Sequence, residues 1–325
     1  MSGKRVSSPT GTSQPEPLVS VVIPAFNESS GLERLSSRVI EAVESCACQA
    51  ELVVVDDGST DDTWARLRQL SAADARIRGV SLARNFGKEA AVLAGLDEAC
   101  GEAVIVMDGD GQHPPEQLPA MIEAWRAGVD IVEGVKKSRA DQSWPARLAS
   151  RLFNRIFTRL TGVDLTEAAD FRLLSRCAVD QLLELPERAF FFRGLSSWMG
   201  YPTARIEFET APRDSGQSKF GLFDLARYAL RNTIAFTSAP LQLVTLAGLI
   251  FALFAVLLGL QTLWQWYSGQ AVEGFTTVIL LLLIHGSVVM IALGVIGQYI
   301  AQIHHEVKKR PHFIVKDRLR SGRDS

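Results

Sequence analysis

Asp108 and Asp110 stand one residue apart in the stretch VIVMDGDGQHPPE, directly after an apolar run that reads as a fully buried strand. The C-terminal ends of strands are where open α/β sheets bind their ligands. Two carboxylates this close repel each other unless a cation lies between them or one is protonated, and oxygen ligands of this kind suit Mg²⁺ or Mn²⁺. A metal carrying a diphosphate is the natural occupant. The plain alternative is an Asp-Gly-Asp-Gly turn that only closes a strand. Asp56 and Asp57 end a second apolar run in the same way, and Lys88 falls near the start of a helix, a position that suits a phosphate.

Such groups need a scaffold, and the chain supplies one as repeated strand–helix units. Val-Ser-Val-Val-Ile ends at Pro24 and leads to a helix with Leu32, Leu35, Val39 and Val43 at helical spacing. A strand over 51–56 precedes a helix carrying Trp64, Leu67 and Leu70, with Ser59 or Thr60 able to cap it. A strand over 78–82 leads through a polar, partly basic turn into a helix of small residues over 90–99. The strand before Asp108 is followed by Pro114-Pro115-Glu116, which start a helix through Leu118, Met121, Ile122 and Trp125, and a fifth strand covers 129–134. This alternation predicts an α/β domain with a parallel sheet covered on both faces.

Beyond the sheet lies a basic stretch with Arg147, Arg151, Arg155 and Arg159 at helical spacing, either a solvated face or a membrane-facing one. Residues 220–236 read as a basic amphipathic helix lying in a membrane interface. No charged residue occurs between Arg231 and Glu273, or between Glu273 and Glu306, so spans are expected over about 241–263 and 276–299. Lys308, Lys309, Arg310, Lys316, Arg318 and Arg320 follow the second span, whereas the connecting loop holds only Glu273. The positive-inside rule then puts both the N-terminal domain and the C-terminal tail in the cytoplasm. Gly286, Ser287, Gly294 and Gly297 could line an interface between copies in a homo-oligomer.

The formal net charge of −2 argues against nucleic acid as the main partner. Cys46, Cys48, Cys100 and Cys177 lack metal-site spacing and read as free structural thiols. The expected organisation is a disordered tail over 1–17, the α/β domain over 18–219, an interfacial helix over 220–240, two transmembrane helices over 241–303 and a basic cytoplasmic tail over 304–325.

Ile23-Pro24-Ala25-Phe26-Asn27-Glu28, Val55-Asp56-Asp57-Gly58-Ser59 and the stretch from Met107 to Glu116 together resemble family 2 glycosyltransferases with the GT-A, Rossmann-like fold. Downstream, Asp170-Phe171-Arg172-Leu173, Arg193-Gly194-Leu195, Arg213 with Gly216, Ser218 and Lys219, and the tail from Gln298 to Pro311 resemble dolichol-phosphate mannose synthases and their bacterial polyprenyl-phosphate relatives with two C-terminal spans. The resemblance implies a nucleotide-sugar donor held by Pro24, Phe26, Asn27, Glu28, Asp56 or Asp57, Lys88 and Asp108. It also implies Mg²⁺ or Mn²⁺ on Asp110 and Gln112, with Asp108 on the metal or the donor, and a polyprenyl phosphate acceptor. On that reading Lys137, Arg139, Arg213 and Lys219 hold the acceptor phosphate, Arg139 and Asp110 take part in catalysis, and Asp170 positions the acceptor or acts as a base. His113 is more readily structural than a ligand. Gly109 and Gly111 stand where relatives often carry bulkier residues. A processive polysaccharide synthase would resemble a Gln-x-x-Arg-Trp pattern downstream, which is missing, and a non-catalytic scaffold would show decayed acids, which are all present.

Overall fold

The computed structural model describes residues 16–136, 168–185, 190–209, 239–269 and 274–319. Lys137, Arg139, Arg213, Lys219 and the expected interfacial helix lie outside the described residues, except that its last two positions open the first long helix.

The strands are β1 (Leu18–Ala25), β2 (Gln49–Asp56), β3 (Ile77–Leu82), β4 (Ala103–Val106), β5 (Ile131–Lys136), β6 (Ala168–Ser175), β7 (Thr203–Phe208) and β8 (Val315–Leu319). They form one sheet in the order β7-β5-β6-β4-β1-β2-β3-β8. The helices are α1 (Leu32–Glu44), α2 (Thr63–Ala73), α3 (Lys88–Glu98), α4 (Leu118–Arg126), α5 (Arg176–Glu184), α6 (Phe192–Trp198), α7 (Ala239–Tyr267) and α8 (Phe275–Val307).

Successive side chains of a strand point to opposite faces, and β1 shows how both become core. Val19, Val21 and Ile23 pack with Leu32, Leu35 and Val39 of α1 and with Leu118 and Met121 of α4. Val22 faces the other way, into a second cluster with Ala91 and Val92 of α3, Val179 of α5 and Phe192 of α6. That two-sided burial is why these strands read as unbroken apolar runs.

The expected parallel sheet is present as β4-β1-β2-β3, but the whole sheet is mixed. β6 is inserted antiparallel between β4 and β5, and β8 lies antiparallel on β3. The tail beyond 304, expected as a separate segment, therefore returns to the domain: α8 runs to Val307, and the chain then supplies the edge strand β8. β1 to β3 step outward on one side of β1, while β4 lies on its other side. The order in which strands are added reverses between β1 and β4, which run parallel, and ligands of open α/β sheets bind at such a crevice.

α7 and α8 contain 22- and 21-residue segments, Val244–Gln265 and Ile284–His304, long and apolar enough to cross a membrane. Both helices extend past the expected spans at each end. The Phe251 ring on α7 lies 6.4 Å from the His285 ring on α8, so the pair packs as a hairpin. A methyl group at Gly286, Gly294 or Gly297 would meet nothing within 4 Å.

Candidate active site

A cavity of about 420 Å³ opens at the switch point between β1 and β4. Pro24, Phe26 and Glu28 line it from the end of β1, Asp57 from the end of β2, Lys88 from the start of α3, and Asp108, Gly109 and Asp110 from the end of β4. Seven of the residues expected from the sequence to hold donor or metal thus meet in one place: Pro24, Phe26, Glu28, Asp57, Lys88, Asp108 and Asp110. Phe26 lines the cavity and is 43% exposed, unusual for a large apolar side chain.

Asn27, Asp56 and Gln112 serve the loops around the cavity and are not among the residues lining it. Asn27 adopts a left-handed backbone (φ 58°), which Asn tolerates, and its Oδ1 accepts from Thr60 N at 2.8 Å. Asp56 is buried and accepts from Ser59 N at 3.0 Å and Ser81 Oγ at 3.2 Å. Gln112 N donates to Asp110 Oδ1 at 3.0 Å, closing a short turn that fixes the Asp110 carboxylate. Asp57 accepts from Phe86 N at 2.7 Å and Gly87 N at 2.9 Å, which ties the β2 and β3 loops together. Burial raises the Asp57 carboxyl despite those bonds. Gly58 (φ +69°) allows the approach, because a Cβ there would sit 2.5 Å from the Arg84 carbonyl carbon.

His113 is a structural support. It is buried, its ring stacks on Phe171 (centroids 5.0 Å apart, planes 15° apart), and its Nδ1 accepts from Asp108 N at 2.9 Å. A ring nitrogen that accepts a hydrogen bond carries no proton, so the imidazole is a neutral prop for the Asp108 backbone.

The acids are unevenly compensated. Burial, then Asp110 and Asp108, push the Glu28 carboxyl up to about 8, and its Oε2 is buried without a hydrogen-bond partner among the described residues. That oxygen reaches so close to Gly109 that a Cβ there would lie 1.9 Å from it. The bare backbone between Asp108 and Asp110 is what admits Glu28. Among the described residues no three His, Cys, Asp or Glu side chains are grouped to hold a metal by themselves. Mg²⁺ commonly takes one or two carboxylates and completes its shell with substrate phosphates and water. Asp108 and Asp110, with an unsatisfied Glu28 oxygen at their side, fit that mode of binding.

Asp170 lies across the site on β6, only 6% exposed, and Lys88 and Arg193 hold it. Lys88 Nζ is 2.5 Å from its Oδ2, Arg193 Nη2 is 2.8 Å from the same oxygen, and Arg193 Nε donates to Oδ1. Burial alone would raise this carboxyl, but Arg193 and Lys88 overcome it and hold Asp170 well below the usual carboxylate range. So bound, it is a weak base and a strong orienting group.

Arg193, Arg172 and Glu89 were not singled out as site residues from sequence. Arg172 is fully buried, with Nη2 3.0 Å from Glu133 Oε1 and Nη1 donating to Arg193 O at 3.2 Å and Ser197 Oγ at 3.1 Å, so it anchors the helix that carries Arg193. Glu89 accepts from Phe192 N at 2.9 Å, at the start of the same helix. Burial and then Asp170 push the Glu89 carboxyl up to about 7. The signal for Arg193 was its place in the Arg193-Gly194-Leu195 motif. Arg172 likewise stands in the Asp170-Phe171-Arg172-Leu173 motif, whereas nothing local separates Glu89 from a surface charge.

Residues 20–183 match the sequence model of glycosyl transferase family 2. A Synechocystis sp. protein called an uncharacterized glycosyltransferase is 36% identical over 304 residues, covering 92% of this chain and 95% of that protein. The bactoprenol glucosyl transferase of Shigella phage SfV is also 36% identical over 304 residues, covering 92% of this chain and 98% of that protein. Among solved structures, mannosyl-3-phosphoglycerate synthase from Rubrobacter xylanophilus superimposes with a TM-score of 0.46 at 20% identity, covering 69% of this chain and 77% of that one. Identity at this level along nearly the whole length, together with the family match across the acid-bearing strands, means that the chain belongs to glycosyl transferase family 2 and is a glycosyltransferase.

Proposed function

We propose that this enzyme moves a sugar from a nucleoside diphosphate donor to a polyprenyl phosphate at the cytoplasmic face of a bacterial inner membrane, with inversion at the sugar C1 and with Mg²⁺ or Mn²⁺. The observation that carries the donor side is the cavity at the β1/β4 switch point, where Asp108 and Asp110 lie beside the uncompensated Glu28 oxygen. The acceptor side is supported by the name of the Shigella phage relative, a bactoprenol glucosyl transferase, and by two helices apolar enough to anchor the chain where such a lipid resides.

A divalent cation on Asp108 and Asp110 would supply Lewis-acid stabilisation of the leaving diphosphate. The chain's own residues do the rest. Phe26 offers its exposed ring to the base, and the loop tied by Asp57 shapes the donor pocket. An acceptor phosphate is already an anion near neutral pH, with a second ionisation near pH 6, so it needs no strong base. Asp170, pinned by Lys88 and Arg193, therefore positions rather than abstracts. A phosphate oxygen forms the new bond to C1 as the bond from C1 to the diphosphate breaks, on the opposite face. Lys137, Arg139, Arg213 and Lys219 hold the acceptor phosphate against this acidic site.

The test is a panel of labelled nucleotide sugars given to membranes with polyprenyl phosphate. Transfer of one sugar into an organic-extractable, mild-acid-labile lipid phosphate supports the reading. Label appearing only in a long polysaccharide, or in no lipid, overturns it.

A further inference from the structure

Lys88 is the cation at the centre of the acids. Its Nζ lies 2.5 Å from Asp108 Oδ1 and 2.5 Å from Asp170 Oδ2, so one ammonium from the first residue of α3 joins the end of β4 to β6. The two carboxylates are not equally served. Asp170 also has both arms of Arg193, whereas Asp108 Oδ2 has, among the described residues, the neutral His113 ring at 3.9 Å. The Lys88 side chain is 42% exposed, and its flexible four-carbon stem leaves the ammonium room to swing.

We propose that Lys88 is the resident counter-ion of Asp108, and that a divalent cation reaches Asp108 Oδ1 only by displacing this ammonium, which remains on Asp170. The inference rests on the reading of Asp108 and Asp110 as the metal-binding pair. Mg²⁺ binds carboxylate oxygen at about 2.0–2.1 Å. An ammonium 2.5 Å from the same oxygen would stand in direct repulsion with it. The ammonium offsets the charge of Asp108 from within the chain, which holds down its affinity for a free metal ion. A donor diphosphate changes the balance, since its charge serves both the metal and the displaced ammonium. Lys88 is on this account a positioning residue acting through Asp108, and it couples metal entry to donor entry.

Mn²⁺ binding to the full-length protein in detergent, followed by the loss of the free-ion electron paramagnetic resonance signal without any nucleotide, tests this. Lys88→Met removes the competitor. Lys88→Met combined with Asp170→Asn removes it while leaving the net charge of the site unchanged, so a general field effect cancels and displacement does not. Both variants are expected to bind Mn²⁺ roughly tenfold or more tightly than wild type, the scale of removing one close charge–charge contact. A double variant that binds like wild type, or more weakly, overturns the proposal even though wild type binds metal. Mn²⁺ bound by no variant, with or without a nucleoside diphosphate, overturns the metal reading itself. If melting shows the double variant unfolded, Lys88→Met alone decides: tightening that persists in high salt supports displacement, and tightening that fades there is a screened field and overturns it.

Discussion

Arg193 holds Asp170 by both carboxylate oxygens, with Nη2 2.8 Å from Oδ2 and Nε donating to Oδ1, and this fork fixes the one buried acid that faces the site from β6. A lysine has no planar fork to replace it. Arg193→Lys should therefore lower kcat/KM by about tenfold to a hundredfold, the worth of a charge-assisted hydrogen bond of about 1.5–3 kcal/mol. Steady-state transfer assays check this, and wild-type kcat/KM in Arg193→Lys would contradict it.

Glu89 gives the site a pH-dependent stability. Its carboxyl is raised from 4.5 to about 7, so between those values the folded state holds a proton that the unfolded state has released. Stability from this group therefore falls as pH rises from 4.5 through about 7, and is unaffected by pH outside that window. Glu89→Gln keeps an acceptor for Phe192 N and removes the titration. Its Tm relative to wild type should rise between about pH 5 and about pH 8. A constant difference across that range would exclude Glu89 as the titrating group.

Gly109→Ala should disturb the donor site without disturbing the fold. Its new Cβ would meet Glu28 Oε2 at 1.9 Å, and that atom is the free end of a flexible side chain. Stability should stay within about 1 kcal/mol of wild type while donor affinity falls several-fold. Calorimetry with the donor and a thermal melt separate the two, and unchanged donor affinity would mean that Glu28 plays no part in the pocket.

The topology is read from the Lys/Arg asymmetry around α7 and α8. A cysteine placed in the 268–274 loop of a variant lacking the native cysteines should react with an impermeant maleimide from outside the cell, and one placed after β8 should not. The reverse pattern would invert the membrane orientation.

The acids at the ends of β1, β2 and β4 were legible because each follows a strand buried on both faces, which writes itself as an apolar run. β6 and β8 did not announce themselves. β6 carries Asp170 and Arg172 within the strand, and their burial depends on Lys88, Arg193 and Glu133, far away in sequence. β8 is a short edge strand whose Lys316, Asp317 and Arg318 are exposed, the usual protection of an edge, so it reads as a basic tail. In the site, Asn27 and Asp56 share motifs with the cavity residues but bond to Thr60 and Ser59 instead. Motif membership alone does not say which side chain of a turn faces the ligand and which holds the turn.

On the proposed function, Asp108 and Asp110 hold a divalent cation that the transfer requires. The direct measurement is sugar transfer to polyprenyl phosphate by purified wild type and Asp110→Asn, each with Mg²⁺ or Mn²⁺ and with excess EDTA. EDTA should abolish wild-type transfer and added metal restore it, and Asp110→Asn should be inactive in both conditions while melting like wild type. Transfer that persists in EDTA, or in Asp110→Asn, would contradict it.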